Sequence, residues 1–202
     1  MNTTQSSKSN LSKTRKLTII AVLAAMASVL MKFEFPLLPW VPFLKFDFSL
    51  TIVLISSFLV GPIAIWPIAL IKAGVSLLAS STGGVGQLAD LIVTISFAFP
   101  FALIYCKYRS AKGMIAGCAV SIVLIAIAGA IANMYILIPA YSLIMPLDKI
   151  WGMCGPVIVD MKTYILYGAI PFNITKGFLS AVATFIIYKA LSRTPLMKSK
   201  SY

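Results

Sequence analysis

The sequence has no histidine, three cysteines and only five acidic residues among 202. Without imidazole there is no histidine triad, no histidine proton relay and no Cys–His zinc site. Cys106, Cys118 and Cys154 are odd in number, and two fall in or beside apolar runs, so they read as isolated thiols rather than a disulfide framework. No GxxxxGK[ST] phosphate loop occurs, so the chain shows no ATP site of its own. Neither a metal site nor a catalytic acid–base set is expected, and the chain reads as a non-enzyme. No internal repeat is evident, so an inverted-repeat carrier is not favoured.

Charge is scarce too. Charged residues make up 11% of the chain, against about 25% in soluble domains. What replaces them is apolar side chain, 60% of the sequence, more than a soluble core of this size can hide. The expected fold is an all-α integral membrane protein with a single membrane domain over 1–202. Apolar runs of spanning length suggest helices at about 12–33, 48–60, 62–79, 87–106, 113–140 and 164–191. The run 48–79 is too long for one ordinary span and is broken at Gly61-Pro62, where a helix stops or starts. The count is therefore six transmembrane helices in a compact bundle.

The net charge of +12 could suggest nucleic acid, but its distribution points to a membrane. With an inside N-terminus, Lys8, Lys13, Arg15, Lys16, Lys107, Arg109, Lys112, Lys189, Arg193, Lys198 and Lys200 all lie inside. The outer loops balance Lys32, Lys45, Lys149 and Lys162 against Glu34, Asp47, Asp148 and Asp160. Reading 48–79 as one span would move the 107–112 cluster outside, so the inside-positive bias supports six spans with both termini, tails 1–11 and 192–202, in the cytoplasm. Ala25-Met26-Ala27 imitates a signal-cleavage site, but the apolar run continues past it.

Three charges remain within the spans: Lys72, Asp90 and Lys176. Intramembrane charges are functional candidates by default. Lys72 and Asp90 either pair with each other or serve separately, Asp90 as a proton or sodium site. In the last run, Asn173, Lys176, Gly177, Ser180, Ala181 and Thr184 recur at helical spacing as one small-and-polar stripe. Gly129, Ala130, Asn133 and Leu137 make a matching face on the fifth run. Lys176 either is satisfied by helix carbonyls or Asp90, or faces a ligand together with Asn133 and Asn173. Asn supplies a donor and an acceptor for an imide or amide edge, and Lys suits a carbonyl or ring nitrogen. The implied ligand is a flat heteroaromatic with a polar edge.

Above this region lies FEFPLLPWVPFLKFDF, 33–48, stiffened by Pro36, Pro39 and Pro42. Its aromatics read as an interfacial belt or as a lid over an outward cavity, whose rigid rings suit a planar ligand. SSTGGVGQLAD, 80–90, is either a simple turn or a place where glycine backbone approaches a ligand. Residues 141–163 cap the cavity from the other side or merely link two spans.

Taken in order, FPLLPWVPFLKFDFS (35–49), STGGVGQLAD (81–90), ANMYILIPAY (132–141) and PFNITKG (171–177) resemble the riboflavin-specific S component of energy-coupling factor (ECF) vitamin transporters. The resemblance runs from about residue 12 to 191. It implies a bacterial multi-pass plasma-membrane protein that binds riboflavin near the outer face as cargo, with no cofactor. Implied ligand-binding residues are Leu38, Trp40, Lys45, Gly86, Gln87, Asn133, Tyr141, Asn173 and Lys176. The family pattern leads one to expect Glu and Asn where this chain has Gln87 and Asp90. Implied partners are a transmembrane coupling subunit and two cytoplasmic ATPase subunits, but no nucleic acid. The smooth face of AVLAAMAS, with Ala21, Ala24, Ala25 and Ser28, would dock on the coupling subunit, the alternative being packing within the chain. The rival function is a proton-coupled carrier of a small planar heteroaromatic compound using Asp90 or Lys72.

Overall fold

The apolar runs fold here as helices, and the Gly61-Pro62 interruption falls where the backbone chemistry puts it. The structure, a computed structural model, describes residues 13–78, 80 and 83–191. The tails with Lys8, Arg193, Lys198 and Lys200, and Ser81 and Thr82 of the glycine segment, lie outside the described residues. The helices are α1 (Lys13–Leu30), α2 (Ser49–Leu59), α3 (Ile65–Leu77), α4 (Val85–Tyr108), α5 (Ala111–Ala132), α6 (Ile138–Ser142), α7 (Leu147–Gly152), α8 (Met161–Tyr164) and α9 (Ile170–Leu191). A π-helical stretch, Asn133–Leu137, joins α5 to α6, and another, Ile165–Ala169, joins α8 to α9. Each set forms one continuous rod.

Two expectations need amending. The chain is not helical throughout: β1 (Phe35–Pro36) and β2 (Lys45–Phe46) pair antiparallel, Phe35 opposite Phe46 and Pro36 opposite Lys45. The three prolines prevent helix between them, and a hairpin is what remains. The 141–163 connection is also not plain loop, since α7 lies within it.

The break at Gly61-Pro62 is a turn followed by a 3-10 segment, Pro62–Ala64. At the C-terminal end of α4, Arg109 adopts a left-handed conformation, and the Ser110 Oγ accepts the Gly113 N–H at 3.1 Å to start α5. Asp160 caps α8 with its carboxylate, accepting from the Thr163 hydroxyl and, at 2.7 Å, from its backbone N–H. These bonds hold its carboxyl below the usual range.

Val85–Tyr108, Ala111–Ser142 and Met161–Ala190 are long and apolar enough to cross a membrane, and Ser49–Leu59 and Pro62–Leu77 are shorter apolar helices. Large apolar side chains such as Leu70, Val123, Ile131, Phe178 and Ile186 point outward. Such a surface suits lipid rather than water. Inside are two clusters. One gathers Leu50, Leu54, Phe58, Ile65, Phe97, Phe101 and Tyr105 between α1, α2, α3 and α4. The other gathers Val41, Phe46, Ile138, Ile150, Tyr164 and Phe172 beneath the hairpin.

The α1 face divides on inspection. Ala24 and Ser28 are buried against the bundle, and the Ser28 hydroxyl donates to the Ala24 carbonyl at 2.8 Å. Ala21 and Ala25 stay exposed. Packing within the chain therefore claims two of the four residues expected at a docking face.

Gly61 has φ 122° and ψ −179°, with no atom within 4 Å of where a Cβ would stand. Gly61→Ala should thus cost about 1–2 kcal/mol from backbone conformation alone. Gly74→Ala, mid-helix and equally uncrowded, should gain about 0.5–1 kcal/mol. Thermal unfolding in detergent should move in opposite directions for the two.

Candidate ligand-binding site

Where the two apolar clusters meet, a cavity of about 350 Å³ opens, within the range of small-molecule sites. Leu44, Ala89, Val93, Leu137 and Phe172 form its apolar wall, and Asn133, Asn173, Asp90 and Lys176 its polar floor. The hairpin contributes Glu34, Phe43, Lys45 and Asp47.

Each floor residue has a local reason to be there. Asn133 opens the first π-helical stretch, and its amide donates to the Gly129 carbonyl at 2.7 Å. The Tyr164 hydroxyl, fully buried, donates to the Asn133 Oδ1 and fixes that amide. Asn173 donates to the Ala169 carbonyl at 2.8 Å. A Cβ on residue 129 would overlap the Asn173 amide, so Gly129 is the space that lets the two rods bring both amides to one level.

The second π-helical stretch ends just before Pro171. Proline has no N–H to offer the carbonyl four residues back, which belongs to Tyr167. That carbonyl receives the Trp40 Nε1–H at 3.0 Å instead. Gly155 N–H donates to the Trp40 carbonyl at 2.9 Å, so the hairpin is clasped from the side away from the cavity. On the cavity side, Phe43 packs on Tyr141 and Tyr164 at ring distances of 6.2 and 5.7 Å. An exposed Lys45–Glu34 ion pair at 2.6 Å ties the two strands together.

Beneath the amides lies an ionic cluster. The Asp90 carboxylate sits 2.6 Å from the Lys72 ammonium and 2.9 Å from the Lys176 ammonium. Lys72 also donates to Ser49 at 3.0 Å and Thr94 at 3.2 Å. Both lysines are at least nine-tenths buried. One carboxylate thus serves two ammonium groups that low-dielectric surroundings would otherwise make intolerable.

Of the residues singled out in the sequence, Lys45, Gly86, Gln87, Asn133, Tyr141, Asn173 and Lys176 line this cavity. Leu38 and Trp40 do not. Leu38 is buried in the apolar cluster below the hairpin, and Trp40 faces a separate recess with Gly155, Val157 and Tyr167. Pro171 explains the latter, since the free carbonyl it creates draws the indole outward. The pairing of Lys72 with Asp90, left open by the sequence, is present and extends to Lys176. Sequence reasoning missed Tyr164 and Asp47, and had Phe43 only as one of the aromatics of the loop read as a lid. Tyr164 meets Asn133 across 31 positions of chain, a contact no local pattern signals.

Removing the shared anion leaves two buried ammonium groups facing each other. Asp90→Asn should therefore cost at least about 3 kcal/mol, read as loss of monodisperse protein and a lowered unfolding midpoint in detergent.

Comparison with known proteins gives the family of the chain. The family model described as "ECF transporter, substrate-specific component" matches residues 15–188. The riboflavin transporter RibU of Staphylococcus aureus is 33% identical over 187 residues, covering 92% of this chain and 94% of its own. The riboflavin transporter FmnP of Bacillus subtilis is 31% identical over 182 residues, covering 87% and 91%. A solved structure of the S component of a bacterial ECF transporter superposes with TM-score 0.74 at 31% identity, covering 89% of this chain and 96% of that one. The chain belongs to the family of substrate-specific components of ECF transporters.

Proposed function

We propose that this chain captures riboflavin as the substrate-specificity subunit of an ATP-driven ECF transporter. The observation that carries the reading is the cavity itself: two carboxamides and an ammonium converge on its floor, under an aromatic hairpin and between apolar walls. A planar ring system slides between Phe172, Leu137, Val93 and Phe43, while its polar edge meets Asn133, Asn173 and Lys176. Each amide spends one N–H on its own helix, which leaves further donor and acceptor capacity for a ligand. Lys45, Gly86, Gln87 and Tyr141 stand at the cavity wall and contact the remainder of the vitamin. Relatives named riboflavin transporters support the choice of cargo. Riboflavin is cargo here, not a cofactor, and the chain is not an enzyme.

In this reading the chain crosses the cell membrane six times, through α1, α2, α3, α4, the α5–α6 rod and the α8–α9 rod. Both termini lie in the cytoplasm, and the hairpin faces outward. The partners are a transmembrane coupling subunit, approached by the exposed Ala21 and Ala25 of α1, and two cytoplasmic ATPases. The proton-coupled alternative is not favoured, because Asp90, its carboxylate candidate, is already held by two ammonium groups.

The direct test is titration of the purified chain in detergent with riboflavin, followed by quenching of vitamin fluorescence. Saturable quenching is expected, and its absence with folded protein would sink the reading. Lys176→Met should raise Kd at least about tenfold without unfolding the chain, because Asp90 keeps Lys72. Asn133→Leu should weaken binding similarly and also strand the Tyr164 hydroxyl. Gly129→Ala should push the Asn173 amide aside, costing about 1–3 kcal/mol by overpacking and weakening binding. Unchanged affinity in all three would remove these side chains from the site.

A further inference from the structure

Lys72 is the charged group that a binding role for the cavity leaves unexplained. It is 1% exposed and does not line the cavity, yet it is a full ammonium in the middle of an apolar bundle. Its contacts are the Asp90 carboxylate at 2.6 Å, Ser49 and Thr94. Asp90 and Lys176 do line the cavity, and the same carboxylate holds Lys176 through its other oxygen at 2.9 Å. The relay also reaches the hairpin, because Asp47 accepts the Ser49 N–H at 2.7 Å. Helices α2, α3, α4 and α9 thus meet through one chain of polar contacts, from the end of the hairpin to the cavity floor.

The charge count decides what this arrangement does. A lone Asp90–Lys176 pair is neutral as a unit, and the carboxylate takes up most of the field the ammonium would exert on a ligand carbonyl. A second lysine on the opposite carboxylate oxygen gives the Asp90–Lys72–Lys176 triad one net positive charge; with the Asp47 carboxylate also at the cavity wall, loss of Lys72 would leave Lys176 facing an excess of negative charge. It also holds Asp90 from behind, so that Lys176 is positioned without being neutralised. We propose that Lys72 is a positioning residue for the ligand: by taking up the charge of Asp90 from outside the cavity, it lets Lys176 present a net positive charge to the electron-rich edge of the cargo. This rests on the riboflavin reading above.

The experiment is a set of riboflavin titrations by fluorescence quenching, each paired with thermal unfolding in detergent without ligand. Wild type should bind; if it does not, the functional reading falls and this inference with it. Lys72→Met leaves a neutral Asp90–Lys176 pair and should raise Kd about tenfold while the protein stays folded. Lys72→Gln keeps partners for Ser49 and Thr94, removes the charge alone and carries the same expectation, should the Met variant not fold. The double variant Lys72→Met/Asp90→Asn restores one net positive charge on Lys176 and should return Kd to within about threefold of wild type. Wild-type affinity in the Met and Gln variants would overturn the proposal while leaving the riboflavin reading intact. So would a double variant as weak as Lys72→Met, because Lys72 would then act through packing rather than charge.

Discussion

One carboxylate shared by two ammonium groups is the interaction on which the rest of this molecule depends. In a bundle whose outer surface is apolar, Asp90 cannot be left alone and neither can Lys72 or Lys176. The geometry that satisfies them draws α3, α4 and α9 to one point, and Ser49 brings in α2. Satisfying the charges therefore fixes the relative placement of the helices that line the cavity. The same three groups leave an uneven count, one carboxylate against two ammoniums, and two of them, Asp90 and Lys176, line the cavity. Helix assembly and the polarity of the cavity floor are two consequences of one arrangement.

Around that centre, the site is built from departures from regular helix. Each polar rod is interrupted one turn from a proline, and each interruption opens or precedes a floor residue: Asn133 at the first π-helical stretch, Asn173 shortly after the second. Such local widenings of a helix often accompany function. Here they have identifiable uses. The Pro171 defect frees a carbonyl for Trp40, which fastens the hairpin at its outer side. The absence of a side chain at Gly129 admits the Asn173 amide. Phe43 then lies over the cavity on Tyr141 and Tyr164, with its anchoring contacts displaced to Trp40. The cavity side of the hairpin is held by this ring packing and by the Lys45–Glu34 ion pair, while the Trp40 clasp lies on its other side.

Much of this was legible in the chain because membrane burial makes polar residues conspicuous. Asn173 and Lys176 stand out in their run, and helical spacing places them on one face; the break at Gly61-Pro62 follows from backbone chemistry alone. Contacts between distant residues of ordinary type were not legible. Tyr164 resembles any interfacial tyrosine until it is seen bonded to Asn133. Trp40 belongs to an aromatic loop that ought to cover a ligand, and only the carbonyl freed by Pro171 shows why it turns away. Likewise, small residues at helical spacing on α1 suggest one docking face, but rotation of the helix against the bundle, which spacing does not set, buries Ala24 and Ser28 and exposes Ala21 and Ala25.

The distribution of acidic groups bears on where the energy for transport enters. A carrier driven by an ion gradient needs a group in the membrane whose charge or coordination changes during the cycle. The chain has five carboxylates. Glu34 is paired with Lys45 on the exposed hairpin. Asp47 accepts the Ser49 N–H at the start of α2. Asp148 lies in the first turn of α7, and Asp160 caps α8, both in the connection outside the long rods. Asp90 alone among the five lies within a helix of membrane-spanning length, α4, and its two oxygens are taken by two lysines. Protonating it would strip both lysines of their counter-charge at once, which the surrounding apolar helices resist. The carboxylate within a spanning-length helix is thus committed to holding Lys72 and Lys176, an arrangement that does not favour a proton-driven cycle and accords with membership of a family of substrate-specific components.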